Sequence, residues 1–168
     1  MSYRVEPLTD DHDLDRFACG HPALDTLLKQ HARRATGQGT RTYLLIDATT
    51  NAVAGYFALA PHLVVREETP RSLGRGTPQR IPAILLAKLA LNECLHGQGL
   101  GGELLVHALT TIIIAARSAG GRIVVVDAID ESAASFYQAP DFRPSPADPH
   151  RLFMKLSTAA RALRLPWP

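Results

Sequence analysis

The sequence predicts a mixed α/β fold formed by a single compact domain. Its 168 residues are 46% hydrophobic, which is enough to bury the core of one domain and gives no indication of a second. Two strands at 42–46 and 52–59 flank a turn, so part of the sheet is antiparallel. An apolar run at 84–91 then leads through a glycine-rich turn into a long amphipathic helix at 100–117.

The first half of the chain alternates short elements with turns. Pro22 suits the first turn of a helix, because its missing N–H would be unpaired there anyway. Leucines at helical spacing extend this helix until two glycines end it. The predicted elements are a strand at 3–8, a helix at 22–34, a hairpin of strands at 42–46 and 52–59 with a continuation at 61–65, and a loop at 66–80 rich in Pro, Gly and Arg.

The second half of the chain contains the longest predicted helix. The run at 84–91, interrupted only by Lys88, predicts a strand that is covered on both faces. The helix at 100–117 is expected to bury a stripe formed by Leu104, Leu105, Ala108, Ile112 and Ala115. The remaining predictions are a β-branched strand at 123–126, a helix at 130–138, a strand at 152–156, one domain over 1–156 and a C-terminal tail over 157–168.

Composition excludes several classes of protein. Cys19 and Cys94 form no C-x-x-C pair, so neither a zinc knuckle nor a disulfide framework is indicated. The seven histidines show no H-E-x-x-H spacing, and we expect no metal site. The N-terminus has no apolar signal region and no run approaches about 18 apolar residues. We therefore expect a cytoplasmic protein with no membrane segment.

Basic residues are concentrated in the middle of the chain, although the formal net charge is only +2. Between Arg33 and Lys88 they outnumber the acidic residues clearly. A solvated surface is the commoner explanation of such a charge run. The same bias is compatible with an anionic ligand, such as a phosphorylated cofactor or RNA.

The glycine loop, defined as residues 96–102, is the strongest chemical signal in the sequence. Its glycines leave backbone N–H groups uncovered at a helix N-terminus, where unpaired donors and the helix dipole favour a pyrophosphate. The spacing Gly97-x-Gly99-x-x-Gly102, with Asp127 after the next strand, also satisfies the dinucleotide fingerprint. A doubly wound domain is disfavoured, because an antiparallel hairpin precedes the loop and only residues 103–168 follow it. A nucleoside triphosphate site is also disfavoured, because no Gly-Lys-Ser/Thr follows the glycines in the sequence.

Two segments resemble the GNAT superfamily of acetyltransferases. The sequence His96-Gly97-Gln98-Gly99-Leu100-Gly101 is similar to motif A, Arg/Gln-x-x-Gly-x-Gly/Ala, with His96 in place of Gln or Arg. Downstream, residues 130–142 resemble Asn-x-x-Ala-x-x-Leu-Tyr-x-x-x-Gly-Phe. Ala133, Tyr137 and Phe142 match that pattern, while Asp130 replaces Asn and Asp141 replaces Gly. The resemblance implies a GNAT fold of the α/β (α+β) class, with a mixed central sheet of six to seven strands flanked by helices on both faces.

The resemblance also implies acetyl-CoA as cofactor and a set of site residues. A backbone N–H near Leu91 would polarise the thioester carbonyl, which is an oxyanion-type interaction. Tyr137 would act as the general acid that protonates the leaving thiolate. The expected catalytic residues are thus Tyr137 and Leu91. The expected cofactor-binding residues are Leu89, Ala90 and Leu91, which pair with the pantetheine arm, then His96, Gly97, Gln98, Gly99, Leu100, Gly101 and Gly102, and Tyr137.

A narrower resemblance points to the amine that receives the acetyl group. The segment Cys19-Gly20-His21-Pro22-Ala23-Leu24-Asp25 is similar to the GNAT toxins of bacterial type II toxin–antitoxin modules. That resemblance, which extends from about Arg16 to Leu156, implies acetylation of the α-amine of aminoacyl-tRNA, which blocks translation. It further implies a homodimer and a ribbon–helix–helix antitoxin. Candidates for tRNA phosphate contacts are Arg33, Arg34, Arg41, Arg71, Arg75, Arg80 and Lys88, the last where Arg is usual.

More than one function is compatible with these patterns. A GNAT enzyme could instead acetylate a small-molecule amine or a protein N-terminus, since the fold does not choose the substrate. The chain could also be a degenerate fold used as a binding module, or a nicotinamide enzyme. An α-amine has a reference pKa near 7.7–8.0, which esterification lowers, so the aminoacyl substrate needs no strong base. Glu93 and His96 are the nearest candidates for a base.

Overall fold

The computed structural model describes residues 2–168 and confirms the mixed α/β class. The strands are β1 (Tyr3–Pro7), β2 (Arg41–Asp47), β3 (Val53–Val65), β4 (Arg80–Leu91), β5 (Ile123–Asp127), β6 (Arg143–Pro144) and β7 (Arg151–Lys155). They form one seven-stranded sheet in the order β1-β2-β3-β4-β5-β7-β6. The helices are α1 (Pro22–Thr26), α2 (Ala32–Thr36), α3 (Arg71–Gly74), α4 (Leu100–Ala119), α5 (Glu131–Gln138) and α6 (Leu156–Ala162).

The chain divides into two compact units. Unit 1 comprises the residues up to Ala60 together with Ala87–Ala108, and unit 2 comprises Pro61–Leu86 and Leu109–Pro168. The predicted division into a domain over 1–156 and a tail over 157–168 remains a prediction. In the C-terminal segment, α6 buries Leu156, Ala159 and Ala160, and the Arg117 guanidinium donates to the Pro166 carbonyl.

Unit 1 contains the predicted antiparallel hairpin. β2 pairs with β3 from Arg41↔Leu59 to Ile46↔Val53, and β1 pairs antiparallel with the other edge of β2. Apolar side chains of this sheet, of the loop before α1 and of the helical segment 22–36 form one core, in which the buried aromatic rings come from the loop and from β3. That core includes Leu14, Phe17, Cys19, Leu24, Leu28, Leu44, Ile46 and Tyr56.

Unit 2 contains the parallel part of the sheet. β4 pairs with β5 in parallel from Ala83↔Ile123 to Leu86↔Val126, and β7 pairs antiparallel with β5. The β-branched side chains of β5 are buried on both faces, as a central strand requires. The core of this unit consists of Val64, Leu73, Ile81, Ala83, Ile123, Val125 and Phe153.

Several elements differ from their sequence-based predictions. The helix predicted at 22–34 is interrupted by a π-helical turn at Leu27–His31. β4 begins at Arg80 rather than at residue 84, and the predicted loop at 66–80 contains α3. In α4 the exposed Ala115 was wrongly placed on the buried stripe, which continues through Ala116 instead. β6 has two residues and was not predicted.

Helix α4 combines unusual length with an apolar composition. By these two properties it is the one helix within 2–168 that could cross a membrane. Its apolar side chains are nevertheless not equally exposed, since one side of the helix is buried through Leu104, Leu105, Ala108 and Ile112. A buried stripe of this kind is what a core helix shows, and length and composition alone are weak evidence for a span.

Candidate active site

The glycine loop leads from the end of β4 into α4 within unit 1. Gly97 and Gly99 have φ angles of +79° and +78°, a region that side-chain-bearing residues rarely adopt. Within residues 2–168, the N–H groups of Gly97, Gln98 and Gly99 donate to no backbone carbonyl. These donors precede a helix of 20 residues, so its dipole adds to their attraction for an anion.

The side chain of His96 anchors the glycine loop to the strand before it. The ring Nε2 donates to the backbone carbonyl of Leu91 at 2.8 Å, and the backbone N–H of His96 donates to the Glu93 carbonyl at 3.2 Å. Between them, the Asn92 side chain caps a 3₁₀ turn by accepting the Cys94 N–H. The histidine that departs from motif A therefore acts within the protein, holding the loop in register with the end of β4.

The end of β4 is held by the neighbouring backbone. The Asn92 N–H donates to the Ala54 carbonyl at 2.7 Å. A Cβ on Gly55 would lie 2.8 Å from the Ala90 carbonyl oxygen and 3.2 Å from a Leu104 methyl, so only glycine fits there. Ala90 and Leu91 are buried, and Leu89 is half-buried. The expected pantetheine-binding residues thus lie on a tightly packed strand end beside the glycine loop.

The Cys-Gly-His-Pro segment lies against the same loop. The Ala18 carbonyl accepts the Glu93 N–H at 2.8 Å. Gly20 has a φ of +89°, and a Cβ at that position would approach Glu93 and His96 to 3.8 and 4.0 Å. The Cys19 N–H donates to the Asp25 carboxylate at 2.9 Å, which ties the segment to α1. The sequence indicated this segment only by resemblance, whereas its contacts give it a structural role next to the loop.

Tyr137 is buried in unit 2 and its hydroxyl has no hydrogen-bond partner within residues 2–168. Its ring contacts Phe136 and Phe142 edge-on, with centroids 5.3 and 5.5 Å away. Burial raises the pKa of Tyr137 above its ordinary value, so the phenol stays protonated at neutral pH. The buried hydroxyl of Tyr56, by contrast, donates to the Leu24 carbonyl at 2.8 Å. Because buried tyrosines usually find a partner, the unpaired hydroxyl of Tyr137 is a candidate for chemistry.

Helix α5 carries Tyr137 on a defined scaffold. The Asp130 carboxylate accepts the Ala133 N–H at 2.8 Å and caps the helix, a role that Asn fills equally well. At the other end, Asp141 has a φ of +79°, and the Phe142 N–H donates to the Tyr137 carbonyl at 3.2 Å. Asp130 and Asp141, which depart from the family pattern, therefore occupy positions where backbone geometry decides the residue type.

The basic candidates in unit 1 are mostly engaged by the protein itself. Arg33 donates to the carbonyls of Thr9 and His12 at 3.2 and 2.6 Å, and approaches the Asp10 carboxylate at 3.8 Å. Arg34 and Arg41 also have partners: Arg34 donates to the His31 ring, and Arg41 donates to the Thr36 and Thr40 carbonyls. Lys88 is half-buried and has no partner within residues 2–168.

The basic candidates in unit 2 are not engaged by hydrogen bonds or ion pairs of their side chains among the described residues. Arg71, Arg75 and Arg80 are exposed, and none of them has a side-chain partner among the residues that the structure describes. Arg71 and Arg75 line a common pocket, where the sequence predicted only a loop. Arg80 begins β4 and does not line that pocket.

A second polar cluster in unit 2 was not anticipated. Arg151 on β7 donates from Nη2 to Nε2 of His62 at 2.7 Å, and its Nε lies 3.7 Å from the Asp127 carboxylate. A guanidinium can only donate, so this contact requires an unprotonated His62 Nε2. Asp127 is the acid that a dinucleotide site would place on a ribose, and here it faces an arginine. No sequence signal could have found the cluster, because His62 is far from Arg151 in the chain.

Comparisons with known proteins give the family. No family model matches the chain. A curated "tRNA-acetylating toxin" from Mycobacterium tuberculosis is 36% identical over 156 residues, covering 93% of both chains. A "probable toxin TacT" from Sinorhizobium fredii is 28% identical over 165 residues, covering 92% of this chain and 91% of the relative.

Solved structures agree with these relatives. A tyrosine-to-phenylalanine mutant of KacT superposes with a TM-score of 0.87 at 27% identity, covering 96% of this chain and 99% of that one. AtaT complexed with acetyl-methionyl-tRNAfMet gives 0.84 at 30% identity, covering 97% and 98%. A tyrosine-to-phenylalanine mutant of AtaT bound to the C-terminus of the antitoxin AtaR and acetyl-CoA gives 0.80 at 29% identity, covering 96% and 98%. The chain therefore belongs to the family of tRNA-acetylating toxins within the GNAT acetyltransferase superfamily.

Proposed function

We propose that this protein transfers the acetyl group of acetyl-CoA to the α-amine of an aminoacyl-tRNA and thereby blocks translation. The observation that carries the proposal is the row of unpaired backbone N–H groups at the start of α4, in a chain 36% identical to a tRNA-acetylating toxin. An unpaired donor row at a helix N-terminus suits a diphosphate. AtaT has been solved both with acetyl-CoA and with acetyl-methionyl-tRNAfMet, which supports the same two substrates here.

The residues of the glycine loop fit the diphosphate of acetyl-CoA. A Cβ at Gly97, Gly99 or Gly102 would meet nothing within 4 Å, so the backbone at these positions faces open space. Gln98 and Leu100 contribute further backbone donors in the same loop, and Gly101 lies in the first turn of α4. Leu89, Ala90 and Leu91 would pair with the pantetheine arm as an additional strand partner of β4. When bound, acetyl-CoA supplies the activated acetyl thioester.

In this proposal the protein contributes donors and one proton. Backbone N–H groups near Leu91 stabilise the negative charge that develops on the carbonyl oxygen. Tyr137 would donate its hydroxyl proton to the sulfur as the carbon–sulfur bond breaks and the carbon–nitrogen bond forms. The amine proton would leave to solvent, and solvent would return a proton to the Tyr137 phenolate. The α-amine needs no strong base, since a substantial fraction is neutral at cellular pH. The hydrogen bond to the Leu91 carbonyl makes Nε2 of His96 a donor, so Nδ1 is the ring nitrogen that can accept a proton.

The tRNA, the antitoxin and a second copy of the chain complete the proposed assembly. The candidates for tRNA phosphate contacts are those with free cations, namely Arg71, Arg75, Arg80 and Lys88, rather than Arg33, Arg34 and Arg41, whose guanidinium groups are engaged. AtaT has been solved with its antitoxin AtaR, which supports an antitoxin partner. We further propose that this antitoxin is of the ribbon–helix–helix type, and that the toxin acts in the cytoplasm as a homodimer.

The decisive experiment is incubation of the purified protein with charged total tRNA and labelled acetyl-CoA. We expect the label on the α-amine of specific aminoacyl-tRNAs, identified after nuclease digestion by mass spectrometry. Raising the ionic strength should weaken this transfer steeply, because the substrate is a polyanion. Label recovered only on small amines or protein N-termini would contradict the proposal. Calorimetry with acetyl-CoA and with NADH, as a matched control, tests the cofactor separately.

A further inference from the structure

Unit 2 contains an open pocket of about 540 Å³ in the segment between β3 and β4. Three arginines, Arg66, Arg71 and Arg75, line it together with the backbone of Gly74 and Gly76. None of the lining residues is aromatic. A nucleobase binds single-stranded sites largely by stacking on aromatic rings, so this lining does not suit a base. Its chemistry suits an anion.

The segment around the pocket is firmly held by short-range hydrogen bonds. The hydroxyls of Thr69 and Thr77, both on buried residues, donate to the carbonyls of Arg66 and Gly74 at 2.7 and 2.6 Å. The Arg66 guanidinium donates to the Thr77 carbonyl at 3.0 Å. A Cβ on Gly74 would lie 2.7 Å from the Thr69 hydroxyl, so the turn packs tightly. The pocket is therefore formed before any ligand arrives, which lowers the entropy lost on binding.

The acid in the lining, Glu67, forms no ion pair with Arg71 or Arg75 among the described residues. Glu67 accepts two hydrogen bonds from the Gln79 amide, both at 2.7 Å, and this contact lowers the pKa of the Glu67 carboxyl. Gln79 in turn accepts a hydrogen bond from Arg66 through its amide oxygen. The carboxylate thus takes its hydrogen bonds from Gln79, and among the pocket arginines it is Arg66 whose charge acts on it.

Arg71 and Arg75 are separated by one helical turn, and the Arg75 N–H donates to the Arg71 carbonyl at 3.1 Å. Like charges at this spacing repel each other, at a cost of a few tenths of a kcal/mol. Neither guanidinium has a hydrogen-bond or ion-pair partner anywhere in residues 2–168. Two unpaired guanidinium groups on one turn, beside a third on Arg66, match the several acceptor oxygens of one phosphate.

We propose that this pocket binds one phosphate of the RNA substrate, with Arg71 and Arg75 contacting its oxygens and Arg66 as the third cation. The inference rests on the proposed function, because it takes tRNA as the source of the phosphate. The sequence indicated only an excess of basic residues in the middle of the chain, whereas this inference assigns one phosphate contact to one pocket. The phosphate is either an internal diester or the 5′-terminal monoester of the tRNA.

The test compares two double variants that remove the same charge from the same unit. Arg71→Ala/Arg75→Ala empties the pocket, whereas Arg161→Ala/Arg164→Ala removes two exposed arginines that do not line it. The Kd for uncharged tRNA is measured by fluorescence anisotropy at several salt concentrations. For the pocket variant we expect roughly a 10- to 100-fold weaker Kd at low salt. Its plot of log Kd against log salt should lose about one unit of slope, as for a single phosphate.

For the control variant we expect a Kd within about threefold of wild type. Equal effects of the two double variants would overturn the proposal, because general electrostatics would then explain both. An unchanged Kd for the pocket variant would overturn it as well. Circular dichroism and the Kd for acetyl-CoA serve as folding controls, and both should match wild type in either variant.

Two additional arms identify the phosphate and separate this inference from the proposed function. The first arm repeats the Kd measurement with tRNA that carries a 5′-hydroxyl. If wild type and the pocket variant then bind with the same Kd, the pocket binds the terminal monoester. If their Kd values still differ, the pocket binds a diester. If wild type acetylates charged tRNA while the pocket variant has an unchanged KM, the pocket inference fails alone. If wild type binds tRNA through Arg71 and Arg75 but acetylates none, the proposed function fails and the pocket stands.

Discussion

Replacing Tyr137 with phenylalanine should separate chemistry from folding. The ring of Tyr137 is 7% exposed and contacts Phe136 and Phe142, and all of those ring contacts survive the substitution. The hydroxyl that is lost has no hydrogen-bond partner within residues 2–168. Removing a hydroxyl that lacks a protein partner costs little stability, so we expect the free energy of unfolding to change by less than about 1 kcal/mol.

The effect on the reaction should be far larger. General acid catalysis contributes typically 10²- to 10⁴-fold, which corresponds to about 2.7–5.4 kcal/mol of barrier. We expect the single-turnover rate of acetyl-aminoacyl-tRNA formation to fall by that factor, with an unchanged Kd for acetyl-CoA. Single-turnover conditions, with enzyme in excess over charged tRNA, keep product release from masking the chemical step.

Tyr56→Phe is the matched control, because it makes the same chemical change at another buried tyrosine. Its hydroxyl donates to the Leu24 carbonyl at 2.8 Å, and that bond is lost. We expect a loss of about 1 kcal/mol of stability in denaturant unfolding and a rate within about twofold of wild type. A Tyr137→Phe rate within threefold of wild type would refute the assignment of Tyr137 as the acid. So would equal rate losses in the two variants.

Substitutions at three other positions test the glycine loop, the end of α5 and the buried thiol. Gly102→Ala places its Cβ in open space, so we expect an unchanged or slightly higher free energy of unfolding. The Kd for acetyl-CoA, measured by calorimetry, should be at least about tenfold weaker. An unchanged Kd would remove Gly102 from the cofactor site. Asp141→Gly relieves a φ of +79° and should raise the free energy of unfolding by up to about 1 kcal/mol, whereas Asp141→Ala should not. Burial, followed by the Asp25 hydrogen bond, raises the pKa of Cys19 from 9.0 to about 11. The Cys19 thiol therefore stays protonated to a higher pH in the folded state than in the unfolded state. Its contribution to the free energy of unfolding is complete below pH 9 and is lost as the pH rises towards 11. Cys19→Ala should therefore show a shallower loss of stability over that range in denaturant titrations, and parallel curves would contradict this.

Much of the fold could be predicted because its main signals are local. The hairpin of β2 and β3 follows from two apolar runs around a turn, and α4 follows from a strand, glycines and a long helical period. The elements that were missed are too short or too irregular for periodicity. β6 has two residues, and Pro82 interrupts the apolar pattern at the start of β4. The π turn at Leu27–His31 preserves the leucine spacing that predicted an uninterrupted helix.

From the sequence, candidates for the site could be named only where they lie in contiguous motifs. The glycine loop and Tyr137 belong to contiguous motifs, and their positions could be stated from the sequence. The pocket of Arg71 and Arg75 could not, because its walls depend on threonine hydroxyls that turn a Pro- and Gly-rich segment into ordered structure. Arg33 was named as a candidate for a tRNA phosphate contact, and nothing local to it in the sequence indicates that its guanidinium reaches the carbonyls of Thr9 and His12.

The departures from the GNAT patterns at Asp130, Asp141 and His96 have one physical explanation. Asp130 caps α5 through a carboxylate oxygen, as Asn would through its amide oxygen. Asp141 adopts the left-handed backbone that glycine provides, and Asp is among the few residues that tolerate it. His96 uses its ring to hold the Leu91 carbonyl, while in the proposed function the donors for the diphosphate come from the backbone. Each exchanged position supplies backbone geometry or a cap, which several side chains can satisfy. Tyr137 is different, because in the proposed reaction its hydroxyl proton is consumed, and that requirement admits no exchange for an apolar ring.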